Sequence, residues 1–242
     1  MRTARDSTLF SKQIERMFSA IAPTYDLLNR LLSCGQDIYW RKAAVDRLEP
    51  ASGQELLDVA TGTGDVALEI GRRMPGALQV IGVDFSLPML ERAKVKILRR
   101  GLEKTVRLEQ GCGENLPFRN NRFDGVTCAF GIRNYGNVVL GLREMYRVLR
   151  GEGKVVILEF SLPSNSLLRS LYTFYFERVL PGLGKIVSRH DTAYSYLPRS
   201  VSGFPSRDGF AKMMEETGFE NVAYRDLTFG IVTLYSGIKN EA

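Results

Sequence analysis

The chain has 242 residues, 44% of them apolar and 10% aromatic, enough to bury a full core and too apolar for a disordered class. Lys and Arg number 33 against 27 Asp and Glu, a net charge of +6 that is scattered, with its densest points at the Arg pairs 72–73 and 99–100; this argues against a nucleic-acid partner and leaves attraction to an anionic membrane surface open. No stretch approaches the ~20 apolar residues of a membrane span and the N-terminus has no run of signal-peptide length, so a cytoplasmic location is expected, peripheral at the inner face of the membrane if the surface attraction operates.

Residues 8–48 show helical periodicity ahead of any strand. "ELLDVA" (55–60) is the first β run and leads through a glycine turn into helical "DVALEIGRRM". "LQVIGVD" (78–84) is the second, and Ser86 then stands as N-cap of "SLPMLERAKVKILRR". "TVRLEQG" (105–111), "FDGVTCAF" (123–130) and "KVVILEF" (154–160) continue the series, with helical "NVVLGLREMYRVLR" before the last of them. Strands alternating with helices imply parallel pairing, an α/β fold of the open, Rossmann-like kind. Residues 164–204 interrupt the alternation with aromatic-rich helical sequence, and "RDGFAKMMEETG" is a further helix. The tail, "FENVAYRDLTFGIVTLYSGIK", reads as two strands with a turn near Thr228–Gly230, an antiparallel hairpin closing a mostly parallel sheet. The organisation expected is an N-terminal helical cap over 1–48 and a domain over 49–242 with a helical insertion at 164–204, one structural unit overall.

The strongest local motif is "LLDVATGTGDVALEI", in which Gly62, Gly64 and Ala67 fit G-x-G-x-x-A. Gly62 and Gly64 permit positive φ and let a ligand approach the backbone. Asp84 ends the second strand 22 positions after Gly62, where a carboxylate can accept both hydrogen bonds of a ribose diol. Both NAD and S-adenosylmethionine carry that diol. Asp58 separates them: a carboxylate beside the glycine loop repels a pyrophosphate and attracts a sulfonium or an ammonium. Cys34, Cys112 and Cys128 are far apart and lack C-x-x-C spacing, so neither a disulfide framework nor a metal site is expected.

"MFSAIAPTYDLLNRLLSCGQDIYWR", "LLDVATGTGD", "GENLPF", "FGIRN", "YSYLPRSVSGFP" and "LTFGIVTLYSGIK" occur in one order over residues 15–239, and together they resemble the ubiquinone/menaquinone biosynthesis C-methyltransferase family. The resemblance implies a class I S-adenosylmethionine-dependent methyltransferase fold. It also implies methylation of a ring carbon on a polyprenylated quinol, demethylmenaquinol or its benzoquinol counterpart. Carried over position by position, it makes Thr61 a cofactor contact and Asp84 the ribose acid, places Arg133 and Asn134 in the active site with Arg133 on a water or the quinol oxygen, and has Tyr25 reach the substrate. Cys112 and Gly113 stand where the family has an Asp or Asn followed by Ala at the adenine. A thiol is a poor acceptor, so the adenine contact falls to backbone groups or to Glu114. Ala129 stands where serine is common.

The chemistry asks for a partner to developing phenolate charge. Arg133, at the carboxyl end of the fourth strand, meets that need, with Asn134 as an alternative helix cap and Tyr25 as an alternative core aromatic. His190, the single histidine, lies in a polar stretch and reads as an exposed loop residue. A polyprenyl tail would be met at a bilayer surface by Arg169, Tyr172, Phe176 and Arg178. A homodimer stays open. Two other readings remain: another small-molecule methyltransferase, and a silent cofactor-binding scaffold in a quinone-synthesis complex.

Overall fold

A computed structural model describes residues 4–174 and 191–241. Phe176, Arg178 and His190 lie outside the described residues. Three helices come first: α1 (Ala4–Ile21), α2 (Tyr25–Leu32) and α3 (Gln36–Leu48). Then β1 (Glu55–Val59), α4 (Asp65–Arg73), β2 (Gln79–Asp84), α5 (Leu87–Arg99), β3 (Val106–Gln110), β4 (Phe123–Ala129), α6 (Val138–Val148) and β5 (Leu149–Phe160) alternate. The insertion supplies α7 (Ser166–Phe174) and α8 (Asp191–Ser202), and the chain closes with α9 (Arg207–Thr217), β6 (Phe219–Leu227) and β7 (Val232–Lys239).

One seven-stranded sheet results, in the order β3-β2-β1-β4-β5-β7-β6. Its first five strands are parallel, and β7 pairs antiparallel with both β5 and β6. This is the expected arrangement, the expected hairpin included. The central strands are apolar almost continuously because both faces are covered. On one side α3 and α4 bury Trp40, Val45, Leu68 and Ile70 against Val80 and Leu158. On the other, α6 and α9 bury Leu142, Met145 and Phe210 against Leu57, Val126 and Tyr235.

Two helices open on side-chain caps. Asn137 accepts from the Leu140 amide at 3.2 Å to open α6, and Ser206 accepts from the Gly209 amide at 3.2 Å to open α9. Ser86 holds the N-cap position of α5 in extended backbone but makes no side-chain cap. Its hydroxyl instead meets the Ser19 hydroxyl of α1 at 2.9 Å, which ties the first helix to the end of β2. The reversal of strand order between the parallel β1 and β4 at the sheet centre opens a crevice beyond their carboxyl ends, and α1, α2, α7 and α8 lie over it.

Candidate active site

Two strand ends frame the crevice. Ala60 after β1 has φ 54° and Phe130 after β4 has φ 58°, the left-handed region that a bulky side chain seldom enters. Such backbone costs roughly 1–3 kcal/mol per residue and persists only where the surroundings enforce it. They do so here: the Phe130 amide donates to the Leu158 carbonyl at 2.7 Å. A Cβ on Gly131 would stand 2.5 Å from the Ala60 Cβ, so only glycine lets the two strand ends approach. The loop between β1 and α4 then turns at Gly62, φ 56°, and Gly64, φ 82°. The two glycines differ in use. Gly62 faces a small pocket with Tyr25 above it, while a Cβ on Gly64 would press the Ala93 Cβ at 3.0 Å, so Gly64 serves the packing of α4 on α5.

Asp58 is buried and fully engaged. One oxygen accepts from Thr61 Oγ1 at 2.6 Å and the Ala67 amide at 3.2 Å, and the other from Thr127 Oγ1 at 2.7 Å. Burial pushes its pKa up to about 6 against these hydrogen bonds, so at neutral pH it is a charge under the loop that braces β1, β4 and α4. Thr61 correspondingly turns its hydroxyl inward to Asp58. Asp84 accepts from the Gly62 amide at 2.8 Å and the Ser86 amide at 2.9 Å, one on each oxygen, which leaves a lone pair on both. Burial raises its pKa to about 6 as well.

At the end of β3, burial raises the Cys112 thiol pKa, keeping it a neutral, weak acceptor. The Glu114 carboxylate accepts from the Gly136 amide at 3.3 Å and the Asn137 amide at 2.8 Å, one on each oxygen. It thereby fastens the entry to α6. Gly113 has its own reason. A Cβ there would lie 1.9 Å from Tyr135 Oη, and one on Gly141 would lie 2.3 Å from the same ring. Tyr135 thus fills the space that two small side chains would otherwise take.

Beyond β4 and β5 lies an apolar cavity of about 360 Å³, enclosed by residues of α1, α2, α3, α7 and α8. Arg133 lines it. Its Nη1 donates to Glu159 Oε1 at 2.7 Å and to the Phe130 carbonyl, and its guanidinium stacks 5.3 Å above the Phe160 ring. Nε is buried with no partner among the described residues. Burial lowers the Arg133 pKa, and the Glu159 carboxylate more than offsets it. Glu159 is wholly buried at the end of β5 and also accepts from the Arg133 amide at 3.3 Å. Sequence reasoning missed it, although an acid closing the apolar run "KVVILEF" was a readable signal. Asn134 stands back from the cavity. It donates to the Phe130 carbonyl at 3.2 Å and accepts from Tyr196 Oη at 2.9 Å, and Tyr196 lines the cavity. Tyr25 lines both the cavity and the glycine-loop pocket, and burial raises its pKa.

A polar clasp fastens the cap beside the loop. Thr63 Oγ1 donates to Asp26 of α2 at 2.5 Å, and Lys96 of α5 reaches Asp26 at 2.9 Å and also Asp65. Arg41 of α3, likewise missed, pairs with Asp37 and lies 3.5 Å from Asp65.

The ubiE/COQ5 methyltransferase family profile matches residues 6–239. The chain belongs to this family. A ubiquinone/menaquinone biosynthesis C-methyltransferase UbiE of Geobacter sp. (strain M21) is 49% identical over 228 residues, covering 94% of this chain and 97% of that one. A demethylmenaquinone methyltransferase of Porphyromonas gingivalis is 42% identical over 229 residues, covering 95% and 94%. Among solved structures, the [4+2]-cyclase SpnF superposes with a TM-score of 0.71 at 16% identity, over 96% of this chain and 97% of that one. The fold is that of the class I S-adenosylmethionine-dependent methyltransferases.

Proposed function

We propose that this protein methylates a ring carbon of a polyprenylated quinol, demethylmenaquinol first and its benzoquinol counterpart second, with S-adenosylmethionine as methyl donor. The observation that carries the reading is the apolar cavity with the Arg133 guanidinium in its wall, adjoining the glycine-loop pocket through Tyr25, Arg41 and Phe130. The donor set suits the cofactor. Asp84 has free lone pairs for a ribose diol, Asp58 puts a buried charge under the loop that favours a cation, and Gly62 leaves the backbone open. Thr61 contributes through Asp58, and Cys112 and Gly113 offer backbone groups to the adenine.

When bound, S-adenosylmethionine supplies an electrophilic methyl group on a sulfonium. The protein's own task is to raise electron density on the ring and to hold it in place. The Arg133 guanidinium donates to the quinol oxygen as its proton passes to a water at the cavity mouth, and this contact strengthens as negative charge develops. Glu159 holds the guanidinium plane, and Asn134 holds Tyr196 against the ring. The cavity walls keep water away, which strengthens each of these contacts.

Two further parts of the reading concern surroundings. Helices α1, α2, α7 and α8 act as the roof over the substrate. The protein visits an anionic bilayer at the inner face of the membrane, where its substrate resides. No helix among the described residues is long and apolar enough to cross a membrane. Tyr172 leaves the set of surface contacts, because it is buried in the cavity wall; α7 instead exposes Leu167, Leu168 and Phe174 beside Arg169. The scattered basic charge supports the absence of a nucleic-acid partner.

The test is turnover of radiolabelled S-adenosylmethionine with short-chain quinols, joined to mass spectrometry of quinones in a complemented deletion strain. Arg133→Ala is expected to lower kcat on the order of 10²- to 10³-fold with cofactor affinity nearly intact. No turnover by the wild type with either quinol would leave the scaffold reading.

A further inference from the structure

Arg41 is the one basic side chain lining the glycine-loop pocket, where Asp58 and Asp65 are the acids. Its guanidinium is accounted for on one side only. Nη1 donates to the Asp37 carboxylate and, at 3.4 Å, to the Asp37 carbonyl, with Asp65 at 3.5 Å. Nε and Nη2 donate to nothing among the described residues, although the side chain is only 11% exposed. A guanidinium has five N–H donors and no acceptor capacity, so the three on Nε and Nη2 remain for solvent or a ligand.

The holding of this group is elaborate. Asp37 is itself fastened by Ser33 Oγ at 3.0 Å and by Arg30 at 3.4 Å, and the Phe130 ring lies 6.0 Å from the Arg41 guanidinium carbon. Just beyond stand Asp65 and Val66 in the first turn of α4, whose amides have no intrahelical acceptor and favour an anion. A planar fork with its outer edge open, beside a helix N-terminus, suits a carboxylate.

We propose that Arg41 binds the α-carboxylate of the cofactor's amino-acid end. The inference rests on S-adenosylmethionine being the methyl donor. It assigns the two ends of that zwitterion to opposite partners, the ammonium to the field of Asp58 and the carboxylate to Arg41. It also makes α3, a helix of the sheet layer, part of cofactor recognition.

The test is calorimetry with two ligands that differ only in that carboxylate, S-adenosylmethionine and decarboxylated S-adenosylmethionine. The wild type is expected to prefer the former by roughly 10- to 100-fold, the range of hydrogen bonds to a charged group. Arg41→Gln is expected to lose that preference while binding the decarboxylated ligand as the wild type does, and Arg41→Lys to recover part of it. Equal affinity of the wild type for both ligands would overturn the proposal, and this holds even if Arg41→Gln does not fold. So would a folded Arg41→Gln protein that keeps its preference, or one that loses both ligands equally. A wild type that binds neither ligand would instead overturn the methyl-donor reading.

Discussion

A carboxylate stripped of most of its water stays protonated to a higher pH than one in solution. Asp84 is such a group, with a pKa pushed up to about 6 by burial. A diol donates to the ionised form, so ligand contact favours loss of the proton. The sign follows: affinity for S-adenosylmethionine is expected to be level above about pH 6 and to fall as the pH drops through it, by up to about tenfold per unit for a single proton. Titration calorimetry between pH 5 and 8 checks this, and Asp84→Asn should flatten the curve at low affinity. Tyr135 offers a second measurement at this scale. Gly113→Ala drives a methyl group into its hydroxyl, an overpacking expected to cost roughly 1–3 kcal/mol. Chemical denaturation of Gly113→Ala against Gly113→Ala/Tyr135→Val should show the second substitution restoring part of the loss. Additive losses would mean that the ring is not what requires glycine.

Among the elements, α2 carries the most consequence for its length. It presents Tyr25 4.0 Å from where a Gly62 Cβ would stand and Asp26 to Thr63 and Lys96. With α2 in this position the pocket beside the loop holds only about 20 Å³, room for one water. A cofactor exceeds that volume, so the Asp26 contacts are expected to open when it enters. Asp26→Ala is expected to speed both binding and release of S-adenosylmethionine, and stopped-flow fluorescence of Trp40, which lines the adjoining cavity, reads both rates. Unchanged rates would place the moving part elsewhere. The strands, by contrast, were legible in advance. Each central one is a short apolar run because its two faces are covered, and the turn at Thr228–Gly230 showed itself through glycine. Ser86 shows where legibility stopped: its position as a cap followed from the helix start, but its hydroxyl went to Ser19, 67 positions away.

For the whole molecule, the roof and the surface meet at α7. This helix lays Tyr172 into the cavity wall and exposes Leu167 and Phe174, 68% and 61% accessible, a division that suits a helix lying on a bilayer with its substrate channel behind it. Co-sedimentation with anionic liposomes is expected to be salt-sensitive. Burying one such side chain is worth roughly 1.5–3 kcal/mol, so Leu167→Ser/Phe174→Ser should weaken binding by tenfold or more, and Arg169→Glu should weaken it further. Equal sedimentation of all three proteins would remove α7 from the membrane contact.

Periodicity and glycine placement by themselves determined the α/β alternation, the closing hairpin, the glycine loop and the acid at the end of β2. All of these arise within a few residues of chain, from strand pleat, helix pitch and positive φ. The partners of the site were another matter. That Asp58 would be spent on Thr127, that Glu114 would serve α6, that Glu159 would hold Arg133, and that Arg41 would face the glycine loop are relations between residues distant in sequence. Only the tertiary structure decided them, because a buried charge or hydroxyl takes whichever partner the packing brings within 3 Å or so, and local sequence carries no record of that neighbour.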